Sequence, residues 1–156
     1  MFANNKETEQ QIVEYYNNEL TMYGTDIKVF WNSTESQLSR FEVLSQIGDL
    51  NQHSLLDAGC GFADYYFYLE QQGIKLTGYT GIDINPKFIE IARSRLAGKN
   101  IELIAQSVLA FNTEDSWDYV VGSGLFAIDM PDWEEVFKKQ LRHFINWREL
   151  AQVLIS

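Results

Sequence analysis

Leu55-Leu56-Asp57-Ala58-Gly59-Cys60-Gly61 is a short apolar run that ends in an acid and passes at once into two glycines separated by one residue. Glycine lets a chain turn sharply and lets backbone approach a ligand where a Cβ would collide. Ser54 to Asp57 therefore reads as a strand, followed by an aromatic, helix-like run to Leu69 that Gly73 closes. The next segment, Leu76 to Ile84, is broken by Gly78 and Gly81 and is most strand-like from Tyr79 to Ile84. Asn85-Pro86 then reads as an N-cap with proline at the first helical position. Ile89, Ala92 and Leu96 supply that helix's buried face, and Gly98 ends it. Ile101 to Ala105 and Asp118 to Val121 are two more short strands, and Gln152 to Ile155 is a candidate fifth. Pro131 opens a last helix, with Asp132, Glu134 and Glu135 early and Lys138, Lys139, Arg142 and His143 late, the order that suits the helix dipole.

Upstream, Ile12, Tyr16, Leu20 and Tyr23 mark one face of a helix ending at Gly24. Thr34 and Gln37 have capping-box spacing, and Leu38, Phe41, Leu44 and Ile47 continue as a second helix that Gly48 stops. Strands alternating with helices indicate a parallel sheet with right-handed crossovers. The expected architecture is a single domain over residues 1–156. A helical N-terminal cap (1–50) precedes an α/β, Rossmann-like open and mainly parallel sheet with helices on both faces (53–156).

Composition narrows the function. With 46% hydrophobic residues in 156, the chain buries a real core, which excludes disorder, and one cysteine excludes a disulfide scaffold. Its apolar stretches fall far short of the ~20 residues of a spanning helix. The first residues show no basic segment followed by an apolar one, so a reducing, cytoplasmic setting is expected. Twelve Lys and Arg against 22 Asp and Glu leave a net charge of −10. Nucleic-acid affinity comes mainly from cations displacing phosphate counterions, so small neutral or cationic ligands suit this chain better. No His, Cys and acid cluster has metal-ligand spacing, and no metal is expected.

In an open α/β sheet the ligand lies beyond the carboxyl ends of the strands. Asp83, 26 positions beyond Asp57 (83 − 57), ends the second strand, where an acid can accept both hydroxyls of a ribose. A dinucleotide fingerprint would continue as Gly-x-Gly-x-x-Gly against a pyrophosphate. Asp64 stands at the last of those positions instead, and Asp57 suits a ligand bearing an ammonium or sulfonium group.

Leu55 to Asp64 resembles the first motif of class I S-adenosylmethionine-dependent methyltransferases, and Gly81-Ile82-Asp83-Ile84-Asn85 with Phe88-Ile89-Glu90-Ile91-Ala92 resembles their second. The resemblance spans about Ser54 to Phe144 and implies S-adenosylmethionine as cofactor. It implies that Asp57 orients the methionine part, that the Ala58-Gly59-Cys60-Gly61 loop passes beneath it, that Asp83 holds the ribose and that Ile84 packs on the adenine. Ser107 falls where the family often carries an acid reading the adenine amino group, and Ala63 replaces a commoner glycine. Gly122-Ser123-Gly124 would border the transferred methyl group. Methyl transfer is an in-line displacement that depends chiefly on positioning, so no catalytic acid or base is assigned. The fourth strand's end lacks the Asn/Asp-Pro-Pro-Tyr/Phe run that resembles amino-methylating nucleic-acid enzymes. Cys60, inside the glycine loop, is badly placed for attack on a pyrimidine.

As in many relatives, the N-terminal helices are expected to cap the cofactor, with Trp31-Asn32-Ser33 and Arg40 as candidates for the substrate entrance or the cofactor carboxylate. Plainer roles compete: core packing for Tyr65 to Tyr68 and for Cys60, surface or capping duty for His53 and His143, and helix initiation for Asp129 and Asp132. The family generally has seven strands, so the C-terminal strands are expected to be missing, leaving the fourth strand as an edge that a homodimer could cover. Methyl transfer to a small-molecule acceptor is the favoured function. A truncated, non-catalytic cofactor-binding module and an NAD-binding oxidoreductase are the alternatives.

Overall fold

The computed structural model describes residues 5–122 and 152–155. The helix expected from Pro131, with Asp129, Asp132 and His143, and also Ser123 and Gly124, lie outside the described residues. The elements run α1 (Asn5–Tyr23), a single 3-10 turn (Ile27–Val29), α2 (Thr34–Ser45), β1 (Ser54–Ala58), α3 (Asp64–Gln71), β2 (Gly78–Asp83), α4 (Pro86–Arg95), β3 (Glu102–Ala105), β4 (Tyr119–Gly122) and β5 (Gln152–Ile155).

The strands form one sheet in the order β3-β2-β1-β4-β5, and every pairing is parallel. β1 is central: Asp57 pairs with Gly81 on one side and Val121 on the other. Parallel strands covered on both faces read as continuous apolar runs rather than alternations, which is how Leu55-Leu56 and Tyr119-Val120-Val121 are written. Leu55, Tyr79, Leu103 and Val121 share one core with Phe41 and Leu44 of α2, Tyr65 and Leu69 of α3, and Ile89 and Ala92 of α4. On the opposite face Leu56, Ala58, Ile82 and Val120 are fully buried, and the Trp117 indole N–H donates to Thr80 Oγ1 there at 3.2 Å. Asp118 Oδ2 accepts from the Ser54 amide at 2.8 Å and its hydroxyl at 3.0 Å, tying the amino ends of β1 and β4 together.

Three local expectations need correction. β4 is not left uncovered, because β5 of the same chain pairs with it, Val120 opposite Val153. The capping box at Thr34 and Gln37 does not form: Ser33 is the N-cap, accepting from the Ser36 amide at 3.1 Å. Gln37 instead turns inward and donates to Asp64 Oδ2 at 3.1 Å, so Gln37 is buried and Leu38 exposed. The Asn85 cap is as expected, its side chain accepting from the Lys87 amide at 3.0 Å ahead of Pro86. Tyr65 and Cys60 are core residues, and His53 is held locally, Nδ1 2.9 Å from the Asn51 carbonyl.

Candidate functional site at the strand tips

The two glycine-containing motifs meet at the carboxyl ends of β1 and β2. Gly59 and Gly61 both take positive φ, 73° and 55°, which bends the chain back over the tip of β2. The amides of Gly59 and Cys60 donate to the Ile82 carbonyl at 2.7 and 3.0 Å. The Gly61 amide donates to Asp83 Oδ2 at 2.9 Å, and the Asn85 amide donates to Asp83 Oδ1 at 2.9 Å. Asp83 thus links the glycine loop to the N-terminus of α4. Burial pushes its carboxyl up to about 6, against the lowering effect of those two backbone bonds. At 8% exposure the residue is buried but, unlike Asp57, not completely enclosed.

Asp57 behaves differently from expectation. Its side chain is fully buried, and Oδ2 accepts a 2.6 Å hydrogen bond from the Tyr79 hydroxyl. Strand alternation puts Tyr79 and Asp57 on the same sheet face, which explains the contact. Oδ1 is buried with no partner among the described residues. Burial pushes the Asp57 carboxyl up to about 7; the Tyr79 bond opposes this, and the charges of Asp83 and Asp64 add to it. A direct grip on the methionine part by the Asp57 side chain is therefore corrected: the carboxylate lies beneath the loop, not at its surface. Cys60 fills the space above Gly81, where a Cβ would come within 2.8 Å of its sulfur, and burial raises its thiol pKa.

Asp64 does not stand free at the mouth of α3. Arg95 donates to it at 2.6 Å and to the Phe62 carbonyl at 2.7 Å, so α2, α3 and α4 are joined through this one carboxylate. Ala63, just before it, is held left-handed at φ 62°.

The N-terminal segment packs against the glycine loop and α4. Phe30 seats its ring where a Gly61 Cβ would be, 2.9 Å away, and packs edge-on to Phe62 and Phe88 at 4.8 and 5.0 Å between centroids. Tyr16, Val29, Phe62 and Phe88 form a second buried cluster. From α1, Asn17 Oδ1 accepts from Asn85 Nδ2 at 2.9 Å, and Glu9 accepts from the Ser107 hydroxyl. Trp31 and Arg40 come together as a cation–π pair at 5.0 Å, with Arg40 exposed. Ile84 follows Asp83, half-buried, and Gly122 ends β4 opposite Ala58. Sequence reasoning missed Tyr79, Glu9, Asn17 and Phe30. Tyr79 alone carried a signal, since it shares a face with Asp57; contacts from α1 depend on how that helix docks.

Residues 55–144 match the methyltransferase domain family, and the chain belongs to this family, the class I S-adenosylmethionine-dependent methyltransferases. Demethylmenaquinone methyltransferase of Lactococcus lactis subsp. lactis (strain IL1403) is 28% identical over 140 residues, 88% of this chain and 55% of that protein. The chain thus spans about half the length of this relative. Among solved structures, DhpI in complex with SAM and HEP superimposes with TM-score 0.71 at 18% identity, over 98% of this chain and 67% of that one. NodS, an N-methyltransferase from Bradyrhizobium japonicum WM9 in complex with S-adenosyl-L-homocysteine, gives 0.66 at 17%, over 85% and 68%. At these identities the structural likeness establishes the fold.

Proposed function

We propose that this chain binds S-adenosylmethionine over the tips of β1, β2 and β4 and directs its methyl group to a small-molecule acceptor. The observation that carries the reading is the use of the loop amides. Gly59, Cys60 and Gly61 spend their N–H groups on Ile82 and Asp83, so they do not form the outward cradle that a pyrophosphate needs. What faces the ligand is instead an acid, Asp83, with lone pairs to spare for ribose hydroxyls. That field suits a sulfonium nucleoside, which would bring its own electrophilic methyl group.

The chain's part in the reaction is to bind, orient and exclude water. Asp83 fixes the ribose, Ile84 packs against the base, and the glycine backbone lets the chain approach closely. The aromatic cluster around Phe30 shields the loop from solvent. Gly122, without a side chain, leaves room at the end of β4 where an acceptor would approach. Trp31 and Arg40 are the proposed residues of the entrance. A net charge of −10 fits a neutral or cationic acceptor better than a polyanion.

Calorimetric titration with S-adenosylhomocysteine and with NAD tests the reading. Binding of the sulfur nucleoside and not of NAD is the expected result, and the reverse overturns it. A metabolite screen with labelled cofactor then tests transfer; tight binding with no acceptor turned over would identify a cofactor-binding module instead.

A further inference from the structure

We infer that Glu9, on α1, reads the nucleobase of the bound nucleoside and selects one with an exocyclic amino group, a specificity role supplied from outside the sheet. The inference rests on the proposed placement of the ribose at Asp83. The Gln106 amide donates to the Asp83 carbonyl at 3.0 Å, and Asp83 pairs with Ala105 across β2 and β3. The tip of β3, where Ser107 lies, is thus next to Asp83, and a nucleoside whose ribose is held there would bring its base to Ser107 if the base extends past Ile84 on that side. The group waiting there is not an acid of the sheet but Glu9, which accepts from the half-buried Ser107 hydroxyl.

Two features make this arrangement a built one. Ser107 is held from its other side, its Oγ accepting from the Leu109 amide at 3.2 Å, so its proton is left to point at Glu9. α1 is also fastened a second time, through Asn17 to Asn85 at 2.9 Å. The eight-residue step from Glu9 to Asn17 (17 − 9) carries the helix about 12 Å, enough to cross the tips of β2 and β3. A carboxylate offers about four lone-pair sites and no donor; the serine uses one. The remainder accept an N–H from an adenine-type amino group and repel the carbonyl oxygen of a hypoxanthine.

The test compares S-adenosylhomocysteine with S-inosylhomocysteine, which differ at that exocyclic group, on the full chain. Wild type is expected to prefer the adenosyl compound by about 10-fold or more, the size of one hydrogen bond to a charged group. Glu9→Gln, whose amide can also donate, is expected to narrow the preference to within about 3-fold. Asp83→Ala should weaken both ligands together and keep the preference. The ratio is insensitive to the fraction of protein folded, so a loss of stability cannot imitate the result. Unchanged preference in Glu9→Gln overturns the role of Glu9 while leaving cofactor binding intact. Failure of wild type to bind either ligand overturns the reading of the site itself.

Discussion

Asp83 and Asp57 stand at neighbouring strand tips with the same chemistry and different surroundings. Asp83 is slightly exposed and has two backbone donors. Removing it in Asp83→Ala should weaken S-adenosylhomocysteine binding by about 1–3 kcal/mol, the scale of charge-assisted hydrogen bonds, as read by titration. Asp57 has one donor and no exposure. Its native pKa, about 7, lies above the unfolded value near 3.8, so between those values the folded state binds more protons than the unfolded one. The protonated, buried acid contributes stability that is complete at low pH and is lost as the pH rises toward 7. Thermal melts at pH 5 and pH 8 should show that loss, and Asp57→Asn should lose about 1–3 kcal/mol less over the same range. The sequence announced both acids but not which would be enclosed, because that depends on Tyr79 and Cys60 closing over the face. Ala63 offers a simpler case: it is fully buried and left-handed, a conformation that costs a non-glycine residue about 1–2 kcal/mol. Ala63→Gly relieves that strain but gives up a buried methyl and adds unfolded-state entropy, each costing about 0.5–1 kcal/mol, so the urea midpoint should stay within the equivalent of about 1 kcal/mol of wild type.

At the scale of elements, legibility followed how local the determinants are. The α4 start was readable because Asn85 and Pro86 set it by themselves. α2 was misread by one residue at its cap and by one position on its face. Gln37, Phe41 and Leu44 follow four- and three-residue steps along one stripe, and the polar member is drawn in only because Asp64 of α3 awaits it. The 3-10 turn carries the largest consequence for the site, since Phe30 is its hold on the glycine loop. Phe30→Ala removes edge-on contacts with Phe62 and Phe88. It should cost about 1–3 kcal/mol in denaturant unfolding, less than a fully buried ring because Phe30 is only half-buried. Cofactor affinity should fall with it.

For the molecule as a whole, the parallel sheet and its wrap were legible from the alternation of short apolar runs with helices. The seat of the last strand was not. Four residues, Gln152–Ile155, hold too little pattern to reveal their neighbour, and only the sheet shows them beside β4. The net charge of −10 acts at this scale through self-repulsion. Raising salt from about 0.01 M to 0.15 M shortens the screening length from roughly 30 to 8 Å, and the melting temperature should rise with it. The sheet order also bears on how the protein is made. As the chain leaves the ribosome, β1 meets β2 soon after both emerge, but its other side stays bare until residues 119–122 have been synthesised. Throughout that interval the nascent polypeptide displays its central strand, with Leu55 and Leu56, along one open flank, where a holding chaperone would be of most use.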